Sequence, residues 1–251
     1  MVLGKAVVIG GSIAGLLTAR VLSDHFQKVI LIERDRYEDN NNKVRKVIPQ
    51  ANHVHLLLAK GREILQDFFP EIEQDLVKNG ANKINFLNDG RYRLPSGWTQ
   101  RFESGITTIT CTRTLLENTI RRQVQKITSI IIKENTFITS FVLENSNKIS
   151  LDTLDGKKIH ADLIVDCTGR NTKMPSWLED VGYPKSKEIK VDSFVGYATR
   201  RYIPPKNFEK KWKMLMILNK PTTNPRAGVI YPIENGKWLA ACQGLERIIP
   251  Q

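Results

Sequence analysis

Ala6-Val7-Val8-Ile9-Gly10-Gly11-Ser12-Ile13-Ala14-Gly15 is the stretch that decides the fold. Its first four residues are apolar and mostly β-branched, as a parallel strand requires when both of its faces are covered and no polar side is left to alternate. Glycines then stop the run at fixed offsets. From Ile13 to Asp24 the pattern is helical: Ile13, Leu16, Leu17, Val21 and Leu22 recur on one face, while Arg20 and Asp24 stay polar. Val29-Ile30-Leu31-Ile32 is a second buried run and it closes on Glu33. Strand, helix and strand within some thirty residues make a βαβ unit.

The turn between the first strand and the helix, Gly10-Gly11-Ser12-Ile13-Ala14-Gly15, is a G-x-S-x-x-G variant of the dinucleotide fingerprint. Gly10 permits the tight exit from the strand, and Gly15 lets the helix lie close to the sheet. Ser12 stands where the middle glycine is usual. It is still small enough for the backbone to approach a pyrophosphate, its hydroxyl can donate to a phosphate oxygen, and the amides of Ile13, Ala14 and Gly15 open the helix without intrahelical acceptors. Glu33 follows at about the twenty-odd-residue spacing of the acid that accepts from ribose hydroxyls, and its charge repels a 2′-phosphate, which disfavours NADP here. These residues leave FAD and NAD both open.

Outward from this unit, the polar run Asp35 to Lys43, with three consecutive asparagines, reads as a loop. Helices are expected over His55 to Phe69, stopped by Pro70, over Glu71 to Lys78, stopped by Gly80, and over Arg113 to Gln125. Asn82 to Gly105 reads as loop-rich. Short strands Ile130 to Ile132, Phe137 to Leu143 and Lys148 to Thr153, with turns at Asn145-Ser146-Asn147 and Asp155-Gly156, read as an antiparallel meander. Lys158 to Asp166 holds the buried run Leu163-Ile164-Val165 before Cys167-Thr168-Gly169-Arg170. Longer strands are expected at Lys187 to Arg201, Lys213 to Leu218 and Gly228 to Gln243. The fold class is therefore α/β, with a Rossmann-like parallel sheet plus antiparallel meander over residues 1–183 and a second, mostly β domain over 184–251.

The 251 residues are 41% hydrophobic and 25% charged, the composition of a packed globular protein. No stretch of eighteen apolar residues is present, and Gly10, Gly11 and Gly15 break the early apolar run that superficially resembles a signal peptide. A net charge of +12 favours anionic partners. The cluster Arg200, Arg201, Lys206, Lys210, Lys211 and Lys213, interleaved with Tyr202, Phe208 and Trp212, suits a solvated face; peripheral contact with a membrane stays open, and no specific nucleic-acid motif accompanies it. Cys111, Cys167 and Cys242 are widely spaced and odd in number, so the reading is a reducing cytoplasm without disulfides. His53 and His55 form an H-x-H pair without further ligands at metal spacing, and no metal is expected.

The run Ala6 to Leu16, the Val29 to Arg34 strand, Arg45-Lys-Val-Ile-Pro-Gln50, Cys111-Thr-Arg-Thr-Leu115 and Ala161-Asp-Leu-Ile-Val-Asp-Cys-Thr-Gly-Arg170 together resemble the FAD-dependent monooxygenases of the aromatic-hydroxylase and squalene-epoxidase type, over nearly the whole chain. The resemblance implies that Gly10, Ser12, Ile13, Ala14, Gly15 and Glu33 hold the ADP half of FAD with Arg34 beside the adenosine. It implies that Arg45 and Arg113 reach the pyrophosphate, whose paired oxygens a planar guanidinium can grip, and that Gly169 belongs to the cofactor loop. It further implies a flavoprotein oxidoreductase that hydroxylates or epoxidises a small apolar or aromatic substrate, with NAD(P)H as a possible electron donor. The flavin carries such chemistry, so no side chain is named as catalytic. Two departures matter. Thr168-Gly169 stands where aromatic hydroxylases carry Asp-Gly, which keeps open a flavin reductase or dehydrogenase of the geranylgeranyl-reductase type. The family's later Gly-Asp motif is missing, so the chain is expected to be an N-terminal portion, complemented by a separate C-terminal polypeptide or else a non-catalytic nucleotide-binding remnant.

Overall fold

A computed structural model describes residues 3–37, 49–144, 148–209, 211–220 and 223–244. The chain runs β1 (Leu3–Ile9), α1 (Ile13–Leu22), β2 (Phe26–Ile32), β3 (Leu56–Leu57), α2 (Ala59–Phe68), α3 (Ile72–Lys78), β4 (Asn82–Asn85), β5 (Gly90–Leu94), β6 (Gly97–Trp98), β7 (Thr107–Thr110) and α4 (Arg113–Gln125). It continues through β8 (Ile130–Lys133), β9 (Ile138–Glu144), β10 (Lys148–Thr153), β11 (Lys158–Ala161), β12 (Leu163–Asp166), α5 (Met174–Asp180), β13 (Gly196–Tyr202), β14 (Met214–Ile217), β15 (Arg226–Pro232) and β16 (Trp238–Gly244). Two compact units share these elements, and each takes two segments of chain: residues 1–39 with 120–189, and residues 40–119 with 190–251.

In the first unit β1 and β2 are the inner strands of a four-stranded parallel sheet of order β12-β1-β2-β8. Side-chain alternation divides it. Val7, Ile9, Ile30 and Ile32 point to one face and pack with Ile138, Leu151, Ile159 and Ala161 of the antiparallel sheet β11-β10-β9. Ala6, Val8, Val29 and Leu31, equally buried, point to the other face, where α1 buries Leu16 and Ala19. Each of the larger side chains contributes about 1.5–3 kcal/mol on burial, and a sheet covered on both sides explains why β1 and β2 read as continuous apolar runs. One expectation on the strands is corrected: Ile130–Lys133 joins the parallel sheet beside β2 and not the meander. Within Lys158 to Asp166 the strand expected at Leu163-Ile164-Val165 is β12, paired with β1 but only half-buried, and Lys158–Ala161 is β11, which closes the meander. The turn at Asn145–Asn147 lies outside the described residues; at Asp155-Gly156, Gly156 has φ 77° and the chain reverses as expected.

The second unit carries a six-stranded sheet of order β13-β16-β15-β14-β5-β6 and a three-stranded sheet β3-β7-β4. Ile84, Tyr92, Met214, Tyr231, Ile233 and Leu239 form its core. The helix expected from His55 starts only at Ala59, because Leu56 and Leu57 pair with β7. Its end is as expected: Phe69, before Pro70, is driven to φ −143° and ψ 89°. Asn82 to Gly105, expected to be loop-rich, contains β4, β5 and β6. The strand expected over Lys187 to Arg201 begins at Gly196, and Gly228 to Gln243 is not one strand but the hairpin β15–β16, reversed at Asn235 and Gly236 with φ 60° and 65°. Of the basic cluster, Lys213 pairs with Asp89 at 2.9 Å and the rings of Phe208 and Trp212 pack against Trp238, while Lys210 lies outside the described residues.

Candidate functional site

At the carboxyl ends of β1, β2 and β12 the first unit brings three turns together, the position where open α/β sheets place ligands. The turn after β1 is bound by its glycines. Gly10 has φ 100°, and a Cβ there would lie 2.5 Å from the Cys167 carbonyl oxygen, so both conformation and space demand glycine. A Cβ on Gly15 would overlap the Gly10 carbonyl oxygen, which is the close helix–strand approach the fingerprint describes. Ser12 is the N-cap of α1 in extended conformation, and the Leu16 amide makes the first helical bond to its carbonyl at 2.9 Å. The amides of Ile13, Ala14 and Gly15 therefore precede the helical ladder.

Glu33 is only 4% exposed, and its carboxylate is turned onto the glycine turn. Oε2 accepts the Gly11 amide at 2.9 Å, and Oε1 accepts the Asp35 amide at 3.0 Å. Arg34 beside it is 54% exposed on its side chain and stands 4.0 Å from Asp35. After β12, Asp166 shapes the third turn: its Oδ1 accepts the Thr168 amide at 2.9 Å and hydroxyl at 2.6 Å, and its Oδ2 accepts the Thr172 hydroxyl. Gly169 in that turn has φ 88° with open space where a Cβ would be. Thr18 Oγ1 and Cys167 Sγ meet at 3.6 Å, and burial raises the Cys167 thiol above its ordinary value.

Gly10, Ser12, Ile13, Ala14, Gly15, Glu33 and Gly169 thus share one edge of the parallel sheet. Arg45 lies outside the described residues. Arg113 opens α4 in the second unit and stands 3.6 Å from Glu117; burial lowers its pKa, against the pull of that carboxylate, and a guanidinium stays charged regardless. His53 and His55 bond to Thr199 and to the His53 carbonyl, and no group of metal-binding side chains is found among the described residues. Two residues of the first unit were hidden in the sequence. Tyr37, buried within what reads as a polar loop, donates its hydroxyl to the Gly11 carbonyl at 2.6 Å. Arg121, buried on α4, sets its guanidinium 4.4 Å from the centre of the Tyr37 ring. A lone aromatic inside a charged run was the available signal.

This cradle fits a dinucleotide on structural grounds: two positions where a Cβ would collide with backbone, helix-start amides beside them, and an acid at the tip of the neighbouring strand. The fold is the mixed α/β, Rossmann-like fold of FAD-binding monooxygenases. The probable FAD-dependent monooxygenase pqsL of Pseudomonas aeruginosa superposes with a TM-score of 0.72 at 12% identity, covering 96% of this chain and 60% of that one. The p-nitrophenol 4-monooxygenase PnpA of Pseudomonas putida DLL-E4 gives 0.67 at 15% identity over all of this chain and 60% of its own. CtdE, solved in complex with FAD, gives 0.66 at 13% identity over 98% of this chain and 60% of its own. Identities this low express a likeness of fold.

In sequence, the chain is 33% identical over 216 residues to Protein Rv3254 of Mycobacterium tuberculosis (strain ATCC 25618 / H37Rv), which covers 80% of this chain and 45% of the relative. The chain spans about half the length of that curated relative. No family model matches it. No helix among the described residues is long and apolar enough to cross a membrane.

Proposed function

We propose that this chain binds FAD and serves a flavin-dependent monooxygenase that hydroxylates or epoxidises a small apolar or aromatic substrate. One observation carries the reading: Gly10 and Gly15 leave no room for a side chain where α1 begins, and the buried Glu33 carboxylate stands on that same turn. Gly10, Ser12, Ile13, Ala14, Gly15 and Glu33 hold the ADP half, the helix-start amides facing phosphate and the acid facing ribose. Arg34, Arg45, Arg113 and Gly169 are assigned to the cofactor by the family resemblance. When bound, FAD supplies the electron transfer and oxygen chemistry; this chain's residues bind and orient it. NAD(P)H is the proposed electron donor. Because the chain spans 45% of its curated relative and 60% of the solved structures, its residues argue for cofactor binding first and for oxygen insertion second.

The test is a titration of the purified chain with FAD, followed by quenching of flavin fluorescence and by visible bands. Tight quenching, competed by ADP and weakened roughly tenfold or more in Glu33→Gln by loss of a charge-assisted acceptor, is the expected result. Colourless protein that leaves flavin fluorescence untouched overturns the proposal. A second reading, a reductase or dehydrogenase of the geranylgeranyl-reductase type, is favoured by Thr168-Gly169 at the end of β12. It is separated from the first by whether substrate turnover requires oxygen.

A further inference from the structure

We propose that Tyr37 is a positioning residue for phosphate binding: its hydroxyl fixes the direction of the Gly11–Ser12 peptide and thereby aims the Ser12 amide. This deepens the reading above and rests on the glycine turn holding an ADP moiety.

The argument starts from peptide geometry. In a trans peptide the carbonyl of one residue and the amide of the next point to opposite sides of a rigid plane. The Gly11 carbonyl accepts from the Tyr37 hydroxyl at 2.6 Å, in a buried setting. The Ser12 amide, across the same plane, is therefore directed away from Tyr37. Ser12 stands at the fingerprint position where the backbone comes closest to pyrophosphate. The other side of Gly11 is held as well, its amide donating to Glu33 at 2.9 Å. Both hinges of this residue are fixed, although glycine is the residue with most freedom to rotate.

Tyr37 can impose a direction only if it is itself immobile, and three contacts hold it so. The Arg121 guanidinium lies 4.4 Å from its ring centre, a cation–π distance. Its amide donates to Glu134 Oε2 at 2.9 Å. The segment leading to it is laced to the β8 turn by the Thr136 amide on the Glu33 carbonyl at 3.0 Å and the Asn135 amide on the Asp35 carbonyl at 3.2 Å. The same arrangement explains Gly11, which the fingerprint leaves variable: a Cβ there would overlap the Tyr37 hydroxyl. The described residues after β2, Glu33 to Tyr37, thus act as a brace on the phosphate turn.

The test compares Tyr37→Phe with Tyr92→Phe. Tyr92 is a control of matching chemistry in the second unit, since its hydroxyl also donates to a backbone carbonyl, that of Phe86, at 2.6 Å. Both variants lose one hydroxyl bond to a backbone carbonyl, buried at Tyr37 and half-buried at Tyr92, and both should melt somewhat lower. Tyr37→Phe should weaken ADP about tenfold by calorimetry, the scale of one carbonyl left without its donor, and should shift the Ser12 amide resonance before ligand is added. Tyr92→Phe should leave ADP affinity and that resonance unchanged. If Tyr37→Phe binds ADP as the parent does, the inference is overturned while the cofactor reading stands. If the parent itself does not bind ADP, the cofactor reading fails and takes the inference with it.

Discussion

Glu33 and Glu234 are both buried carboxylates that hold a backbone amide at the threshold of a helix, yet they do different work. Glu33 reaches the Gly11 amide just before α1. Glu234, 7% exposed, reaches the Thr112 amide at 3.0 Å just before α4 and also accepts the Thr112 hydroxyl, which in turn accepts the Leu115 amide at 3.2 Å. The second arrangement is an N-cap extended by one carboxylate, with side chains filling the helix end. The first is built from backbone, and glycines empty the space beside it. A buried acid at a helix start is therefore not evidence of a ligand site by itself. The missing side chains next to it make the difference.

If that contrast is sound, the two regions should fail differently when cut. The largest effect is expected from Gly15→Ala, whose Cβ has no place beside the Gly10 carbonyl. Backbone against backbone cannot yield as a flexible side chain does, so about 4 kcal/mol or more should be lost. Hydrogen exchange should then rise in β1 and β2, and FAD or ADP binding should go with it. Unchanged protection of those strands would show that the turn is looser than its geometry states.

Glu234→Ala comes next, at about 3 kcal/mol, because it strands the Thr112 amide and hydroxyl in a buried place. Exchange should rise at the start of α4 and along β15 and β16. Thr112→Val should cost less in the Glu234→Ala background than in the parent, about 1 kcal/mol for the remaining cap on the Leu115 amide, because its bond to Glu234 is already gone. Independent, additive losses would break the comparison by showing that no shared cap exists.

What was legible follows from how far apart the partners are. The β1–α1–β2 unit could be read because its covered strands, its glycines and Glu33 lie close together in sequence. Glu234 could not, since its partner Thr112 is 122 positions away. Strand β5 was missed for another reason: Arg91 and Arg93 alternate with Tyr92, and these arginines lie 4.8 and 5.9 Å from the Trp98 ring, so a polar outward face masked the period. The Asn235-Gly236 pair is the strongest short hairpin signal a sequence offers, and it divides the run that hydrophobicity alone joined. Helix α5 is seven residues long with Pro175 in its first turn, and it packs only the partly buried Met174 and Trp177 against the core, too short a stripe to stand out in the sequence.

The smallest effect concerns pH and again belongs to the second region. His55 donates its Nδ1 proton to the His53 carbonyl at 2.9 Å, and its amide bonds to the Tyr231 hydroxyl. Burial lowers its pKa below the ordinary 6.5, with Arg113 and His53 adding to the shift and the His53 carbonyl opposing it. The sign follows from linkage. Below 6.5 the unfolded chain takes up a proton that the fold still refuses, so stability falls with pH from there and levels off beneath the folded pKa. The carboxylates of Glu73 and Asp89, held low by their lysine partners against burial, lose their contribution only below 4.5 and 3.8. The two windows are separate. Melting temperature measured between pH 7 and about 5 should decline in the parent and flatten in His55→Gln, which keeps a donor for the carbonyl but cannot be protonated. Parallel curves would remove His55 from the account and assign acid sensitivity in this range to groups elsewhere, leaving the Glu33 turn and the Glu234 cap equally insensitive to histidine charge.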